Sequence, residues 1–205
     1  DALAARIRAA GRPALVVALP GDGTGDLRGQ ALALGAAAVA ARAGSAGRVD
    51  VVGYSAGGVV ARLWAKEGGG ALARRVVTLG SPHHGTELAR LAATYAPDAC
   101  PRACQQLVPG SRLLTELNRA PEVPPGTEWV SVWTTQDETV TPPESARLAG
   151  ATNLPVQAVC PGAVVGHGAL PTDPVVTELV LRALGLAPDP VIHCDVGDAT
   201  RGAPR

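Results

Sequence analysis

The sequence contains no phenylalanine and no methionine, and only three tryptophans and two tyrosines occur among its 205 residues. The volume of the core must therefore come from valine, leucine and the many alanines. Small core side chains let helices approach a sheet closely, which favours a layered α/β architecture. A chain of this length suits one domain with a sizeable core, and we expect residues 1–205 to form a single domain.

Net charge is absent too, because 18 basic residues balance 18 acidic ones. This balance offers no positive surface to nucleic acid or to an anionic membrane, so we expect no nucleic-acid partner. No apolar run reaches the length of a transmembrane helix. No charged-then-apolar signal segment stands at Asp1 either, and the expectation of a removed upstream signal depends on the cysteines alone.

The four cysteines show neither a Cys-x-x-Cys pair nor zinc-ligand spacing with histidine, so we expect no metal and no cofactor. An even count without a metal pattern favours two disulfides, an oxidising compartment and therefore a secreted protein. Cys100 and Cys104 lie within bridging reach on a turn or helix, which would leave Cys160 to pair with Cys194. The alternative is four free thiols in a cytosolic enzyme.

Short apolar runs alternate with helical stretches along the chain. Strands are predicted at residues 13–19, 49–52, 75–79, 128–134 and 153–159. Helices are predicted at residues 2–10, 27–43, 56–66 and 174–184. This alternation predicts a mainly parallel central sheet with helices on both faces, whose strands end at one common edge.

Two segments depart from this rhythm. Residues 82–125 are rich in proline, carry two of the cysteines and several leucines, and are expected to fold over the edge of the sheet as a small cap-like insertion. Residues 188–205 are expected to form an irregular tail.

The segment Gly53-Tyr54-Ser55-Ala56-Gly57 matches the Gly-x-Ser-x-Gly elbow. It stands between a predicted strand and a predicted helix, the context in which this motif presents a nucleophilic serine. Glycines are expected on both sides because the turn is tight. The alternative is a glycine-rich turn with an idle serine.

A serine of ordinary pKa needs a base, and the base needs an orienting acid. His167 follows the last predicted strand by a short loop, which is where the histidine of this architecture stands. His193 in the tail is the alternative. Asp137 follows the fourth predicted strand and is the expected acid, with Glu138 as the alternative.

The tetrahedral oxyanion of ester cleavage needs hydrogen-bond donors. We expect the backbone N–H of Ala56 to be one donor and that of Asp22, in the loop after the first strand, to be the other. That loop, Gly-Asp-Gly-Thr-Gly-Asp, does not suit phosphate, because it lacks the Gly-Lys-Ser/Thr ending and the Gly-x-Gly-x-x-Gly spacing. His83 and His84 are expected to line or brace the site, and Leu88 to contact substrate.

Together these features resemble the α/β-hydrolase lipases, and most closely the compact secreted bacterial lipases grouped as class 2. The resemblance covers residues 15–184 and depends on five stretches: Leu19-Pro20-Gly21 with the loop after it, the Ser55 elbow through Gly58, Thr78 to Thr86 with its Pro-His-His-Gly, the Asp137 turn, and Gly166-His167.

The resemblance implies hydrolysis of acyl esters through an acyl-enzyme, with Ser55, Asp137 and His167 as the triad. Asp22 departs from it, because that position more often carries a neutral side chain. The expected partner is a lipid-like acyl-ester substrate, and the chain is expected to act as a monomer. A polyester depolymerase, phospholipase or thioesterase with the same triad is an alternative, as is a non-catalytic binding module of the same fold.

Overall fold

The computed structural model describes residues 2–42, 47–187 and 191–194. Within these ranges the chain forms eight α-helices and four β-strands. Their order is α1 Ala2–Ala9, α2 Leu27–Arg42, β1 Val49–Tyr54, α3 Ala56–Lys66, β2 Ala73–Leu79, α4 Glu87–Tyr95, α5 Arg102–Gln106, α6 Arg112–Leu117, β3 Glu128–Trp133, β4 Thr152–Pro155, α7 Val156–Val159 and α8 Pro174–Ala183. Among these helices, none is both long enough and apolar enough to cross a membrane.

The four strands form one sheet in the order β1-β2-β3-β4, and every pair is parallel. Val51 pairs with Val76, and Val76 pairs with Trp129. Parallel strands end at the same edge of a sheet, so the loops that follow β1, β2 and β3 meet there. This edge receives the serine elbow and the predicted acid loop.

The core has two layers, one on each face of the sheet. Successive residues of a strand point to opposite faces, and Val76 and Val77 accordingly enter different clusters. One cluster contains Val59 and Trp64 of α3, and the other contains Val176 of α8. The sheet is therefore covered on both sides, as the alternating pattern predicted.

The strand predicted at residues 13–19 is absent from the structure. Ala14 packs on one core cluster and Leu19 on the other, but Leu15 and Val16 are 65% and 51% exposed. The run therefore lacks the packed layer on each face that its composition indicated. The prediction was wrong because an apolar run does not show whether anything covers it.

The last predicted strand, residues 153–159, is correct only in its first part. The strand ends at Pro155, and Val156–Val159 form the helical turn α7. The amide of Gln157 in this turn accepts from the N–H of Thr135 at 2.9 Å and donates to the hydroxyl of Thr134 at 2.9 Å. These contacts, together with the buried Val156, override the strand preference of the valines.

The predicted insertion, residues 82–125, consists of α4, α5, α6 and short connections. It packs on the α3 side of the sheet through Ala89, Leu107 and Leu114. Both predicted disulfides are present, one between Cys100 and Cys104, the other between Cys160 and Cys194. The predicted tail, residues 188–205, lies outside the described residues except for 191–194.

Candidate active site

Ser55 occupies the sharp turn between β1 and α3. Its φ of 51° and ψ of −128° are unusual for a residue with a side chain. Strained dihedrals of this kind are held only where the surroundings enforce them, and they are the mark of a nucleophile elbow. The turn places the serine at the start of α3, where the N–H of Ala56 has no acceptor inside the helix.

Two glycines at the turn, Gly53 and Gly58, have no room for a side chain. A β-carbon at Gly53 would lie 2.6 Å from the carbonyl oxygen of Gly57, and one at Gly58 would overlap the hydroxyl of Ser81. A β-carbon at Gly57 itself would meet no atom within 4 Å. The expectation that both flanking glycines are forced by collision is therefore correct for Gly53 and wrong for Gly57.

A continuous line of hydrogen bonds joins the three residues singled out in the sequence. Nε2 of His167 lies 3.0 Å from Oγ of Ser55, and Nδ1 of His167 lies 2.8 Å from Oδ2 of Asp137. The histidine and the aspartate are only 5% and 6% exposed. The other carboxylate oxygen of Asp137 accepts from the N–H groups of Thr139 and Val140, at 2.9 and 2.7 Å, which fixes its orientation.

The two alternative residues lie elsewhere. Glu138 does not bond the imidazole, because its Oε2 accepts from the backbone N–H of His167 at 3.1 Å. His193 follows α8, where its backbone N–H donates to Glu178 at 3.3 Å. The structure thus brings His167 and Asp137, rather than His193 and Glu138, into the line with Ser55.

Gly80, directly after β2, is a site residue to which the sequence assigned no role. Its φ is 52°, and a β-carbon there would lie 3.1 Å from Oδ2 of Asp137 and 3.2 Å from Nδ1 of His167. The acid and the base therefore meet directly above a residue that cannot carry a side chain. Its position at the end of a central parallel strand was the signal that could have identified it.

The loop proposed to hold the second oxyanion donor is tightly curved. Gly21, Asp22 and Gly23 have positive φ values of 60°, 53° and 76°, and the side chain of Asp22 is exposed. The buried amide of Gln30 in α2 donates to the carbonyls of Gly23 and Gly25, at 2.9 and 3.1 Å. A side chain of the following helix thus fixes this loop, while the roles of Asp22 and Ala56 remain predictions.

His83, His84 and Leu88 occupy three different environments. His83 is fully buried, with Nε2 3.1 Å from the hydroxyl of Thr78, and this burial holds the pKa of His83 well below its usual value. Nε2 of His84 lies 3.0 Å from Oε1 of Glu122. Leu88, on α4, is 49% exposed. His83 and His84 are thus bonded to the protein itself, although His84, like Leu88, is exposed.

Within the described residues, no group of three or more His, Cys, Asp or Glu side chains is arranged to hold a metal ion.

A serine at a strained strand–helix turn, with a histidine and an aspartate on later loops of the same sheet edge, defines an α/β-hydrolase fold. The chain belongs to the lipase (class 2) family, because the sequence profile of that family matches residues 37–160. No curated protein sequence matches the chain.

Two solved structures share this fold. Aspergillus fumigatus lipase B superimposes with a TM-score of 0.70 at 20% identity, over 82% of this chain and 44% of the fungal one. The mature form of Bacillus licheniformis lipase BlEst2 gives 0.62 at 22% identity, over 80% of this chain and 75% of that one. The chain thus spans less than half the length of the fungal lipase.

Proposed function

We propose that this protein hydrolyses carboxylic esters of acyl chains, as a lipase or carboxylesterase, through a covalent acyl-enzyme. The observation that carries the proposal is the unbroken hydrogen-bonded line from Asp137 through His167 to Ser55. Membership of the class 2 lipase family supports the same reaction, and both structural neighbours are named lipases.

In the first half of the reaction, Oγ of Ser55 attacks the ester carbonyl while Nε2 of His167 takes its proton. Asp137 accepts the other imidazole N–H and stabilises the imidazolium that forms. The negative oxygen of the tetrahedral intermediate receives hydrogen bonds from the N–H groups of Ala56 and Asp22.

In the second half, the imidazolium of His167 gives its proton to the departing alcohol, and the acyl group stays on Ser55. A water molecule then attacks this acyl-enzyme and gives its proton to His167, which passes it to the departing Oγ of Ser55 as the carboxylic acid is released. One chain supplies every group that this sequence of steps uses, so the proposal requires no second copy.

The proposed substrate is an ester with a lipid-like acyl chain. Leu88 and Leu91 are three residues apart, so they lie on the same face of α4, and they are 49% and 48% exposed. The start of α4 is fixed to the acid loop, because the hydroxyl of Thr86 donates to the carbonyl of Thr139 at 2.6 Å. An open apolar helix beside the acid loop suits an acyl chain better than a polar group.

Ser55→Ala tests the proposed function. We expect hydrolysis of p-nitrophenyl esters to fall roughly a thousandfold or more, and labelling by a fluorophosphonate to disappear, because no other residue supplies the nucleophile. Rates on esters of short and long acyl chains then separate a carboxylesterase from a lipase.

Ser111→Ala is the matched control, since this serine caps α6 by accepting from the N–H of Leu114 at 3.3 Å. It is expected to lower the stability by about 1 kcal/mol and to keep the activity. Full activity in Ser55→Ala would overturn the assignment.

We also propose that the protein is secreted. All four of its cysteines are paired, and such bridges persist in oxidising compartments. Fractionation of a producing culture checks this: the protein is expected in the medium, and its retention in the reduced cytosol would contradict the proposal.

A further inference from the structure

Two side chains, one from the end of β1 and one from the loop after β3, bond both backbone polar groups of His167. Its N–H donates to Oε2 of Glu138 at 3.1 Å, and its carbonyl accepts from the hydroxyl of Tyr54 at 3.2 Å. The carbonyl also accepts from the N–H of Leu170 at 3.2 Å, but that bond lies within the histidine segment and does not tie it to other parts of the chain. Hydrogen bonds on both sides of the residue restrict the backbone from which the ring projects.

The bond from Glu138 is one of a set. The hydroxyl of Thr134 donates to the carbonyl of Val165 at 2.7 Å, and Oε1 of Gln136 accepts from the N–H of Val165 at 3.1 Å. Side chains at every second position of residues 134–138 thus bond the backbone of the histidine loop. Asp137, which stands between Gln136 and Glu138, bonds the imidazole of His167 instead of the backbone.

We name residues 134–138 and 165–167 together the acid–base unit. Tyr54 connects this unit to the elbow, because it directly precedes Ser55 and its ring also faces the imidazole of His167. The two ring centroids lie 5.1 Å apart, with an angle of 34° between the ring planes. The distance between nucleophile and base is therefore linked to a contact made by the residue next to the nucleophile.

Two further features support these bonds. A β-carbon at Gly166 would lie 3.1 Å from Oε2 of Glu138, so the glycine leaves room for the carboxylate. Burial raises the pKa of Tyr54, and the charges of Asp137 and Glu138 raise it further. The tyrosine hydroxyl therefore keeps its proton, and can donate it, throughout the neutral range.

We propose that Tyr54 and Glu138 are positioning residues that set the height and the angle of the His167 imidazole between Asp137 and Ser55. The inference rests on the proposed function, since it concerns the same reaction. Neither residue exchanges a proton with substrate. Each acts through His167, and together they limit the movement of the acid–base unit against the elbow.

The experiment compares Tyr54→Phe, which removes only the hydroxyl, with three variants of the carboxylate: Glu138→Ala, Glu138→Asp and Glu138→Gln. Tyr95→Phe and Glu144→Gln are the matched controls, because both residues are exposed and neither contacts His167. For each, kcat and KM are measured on a short p-nitrophenyl ester, and the rate of inactivation by a fluorophosphonate is measured in parallel.

We expect kcat to fall about five- to tenfold, with KM unchanged, in each of Tyr54→Phe, Glu138→Ala and Glu138→Asp. A fall of this size corresponds to the free energy of one hydrogen bond. Glu138→Gln is expected to stay near wild type, because its amide oxygen still accepts from the His167 N–H. The low-field proton resonance of the His167–Asp137 hydrogen bond should shift or broaden in the three weakened variants and in neither control.

Wild-type kcat in both Tyr54→Phe and Glu138→Ala would overturn the inference. So would a Glu138→Gln variant as slow as Glu138→Ala, because the charge and not the hydrogen bond would then matter. Thermal unfolding confirms that each variant is folded at the assay temperature, and Tyr54→Phe, which keeps the ring, decides the matter if Glu138→Ala is unfolded. A wild-type protein without Ser55-dependent activity would instead refute the proposed function.

Discussion

Gly80 is the residue at which a single added methyl group would reach both the acid and the base. Its backbone has a positive φ, and a β-carbon would come within 3.2 Å of an atom of Asp137 and of His167. Gly57, only two residues from Ser55, would meet nothing within 4 Å. Two glycines of the same site therefore differ sharply in what they tolerate.

Gly80→Ala is expected to lower kcat roughly a hundredfold, because the added methyl group would press on Asp137 and His167 as well as on Cδ1 of Leu170, 2.5 Å away, and would shift the pair from its present geometry. Gly57→Ala is the matched control and is expected to keep most of the activity, since the added methyl stands in open space. Ester hydrolysis with circular dichroism of both variants checks this. Equal activity in the two variants would contradict the role given to Gly80.

The three residues of the hydrogen-bonded line could be predicted to lie together, because their types and their order along the chain match what a serine hydrolase needs. Ser55, Asp137 and His167 were singled out in this way, although their catalytic roles stay predictions. The bonds that Tyr54 and Glu138 make to His167 could not be predicted. They depend on how the histidine loop lies against the end of β1 and against the loop after β3, which no local pattern records.

At the scale of elements, α3 does two things. Its first residue follows Ser55, and its last turns hold the insertion through Arg62 and Lys66. The guanidinium of the buried Arg62 donates to the carbonyls of Leu117 and Glu122, at 3.3 and 3.1 Å. Burial lowers the pKa of Arg62 to about 10 against the pull of Glu122, so the group remains charged at neutral pH.

Lys66 holds the same segment from one turn further along. Its Nζ donates to the carbonyls of Leu117, Arg119 and Pro121, at 2.8, 2.8 and 2.9 Å. The helix α3 therefore begins at the Ser55 elbow and, near its other end, donates hydrogen bonds to backbone carbonyls within residues 117–122. The same helix thus follows Ser55 and holds the C-terminal part of the insertion, residues 117–122.

Arg62→Met is expected to lower the free energy of unfolding by about 3 kcal/mol, because the carbonyl of Glu122 loses its charged donor and that of Leu117 loses one of its two. Lys66→Met, which is closer to solvent, should cost about 1 kcal/mol. Urea denaturation measures both, with the exposed Arg147→Met as control. A loss in Arg62→Met no larger than in the control would show that the segment does not need this anchor.

A helix or strand could be predicted from the sequence where its hydrophobic pattern agrees with how the segment packs in the fold. The elements β1, α3, β2 and β3 follow the alternation of the sequence closely, whereas α4, α5 and α6 fall in the segment that was predicted only as a cap-like insertion. Residues 13–19 and 156–159 do not, because exposure of Leu15 and the bonds of Gln157 are matters of tertiary packing. Local preference decides an element only where packing does not oppose it.

At the scale of the whole molecule, the two disulfides differ in the length of chain they close. Cys100 and Cys104 are 4 residues apart, whereas Cys160 and Cys194 are 34 apart. A longer closed loop removes more conformational freedom from the unfolded chain. The bridge to Cys194 also fixes the chain after α8 to the end of α7.

Cys160→Ser with Cys194→Ser is expected to lower the free energy of unfolding by about 4 kcal/mol, and Cys100→Ser with Cys104→Ser by about 2 kcal/mol. Thermal and urea unfolding of the two double variants measure the difference. Mass spectrometry without reductant should also find the wild-type chain four hydrogens lighter than its reduced form. Four freely alkylated thiols would refute the bridges.

The closure of all four cysteines has a chemical consequence. Sulfur is the first target of peroxide in proteins, as thiolate or as thioether. This chain has no methionine, and its cysteines are already paired. Its three tryptophans are at most 6% exposed. Peroxide therefore finds few readily oxidised side chains on this protein. Bleaching conditions that inactivate sulfur-rich enzymes should leave the rate of the proposed ester hydrolysis unchanged.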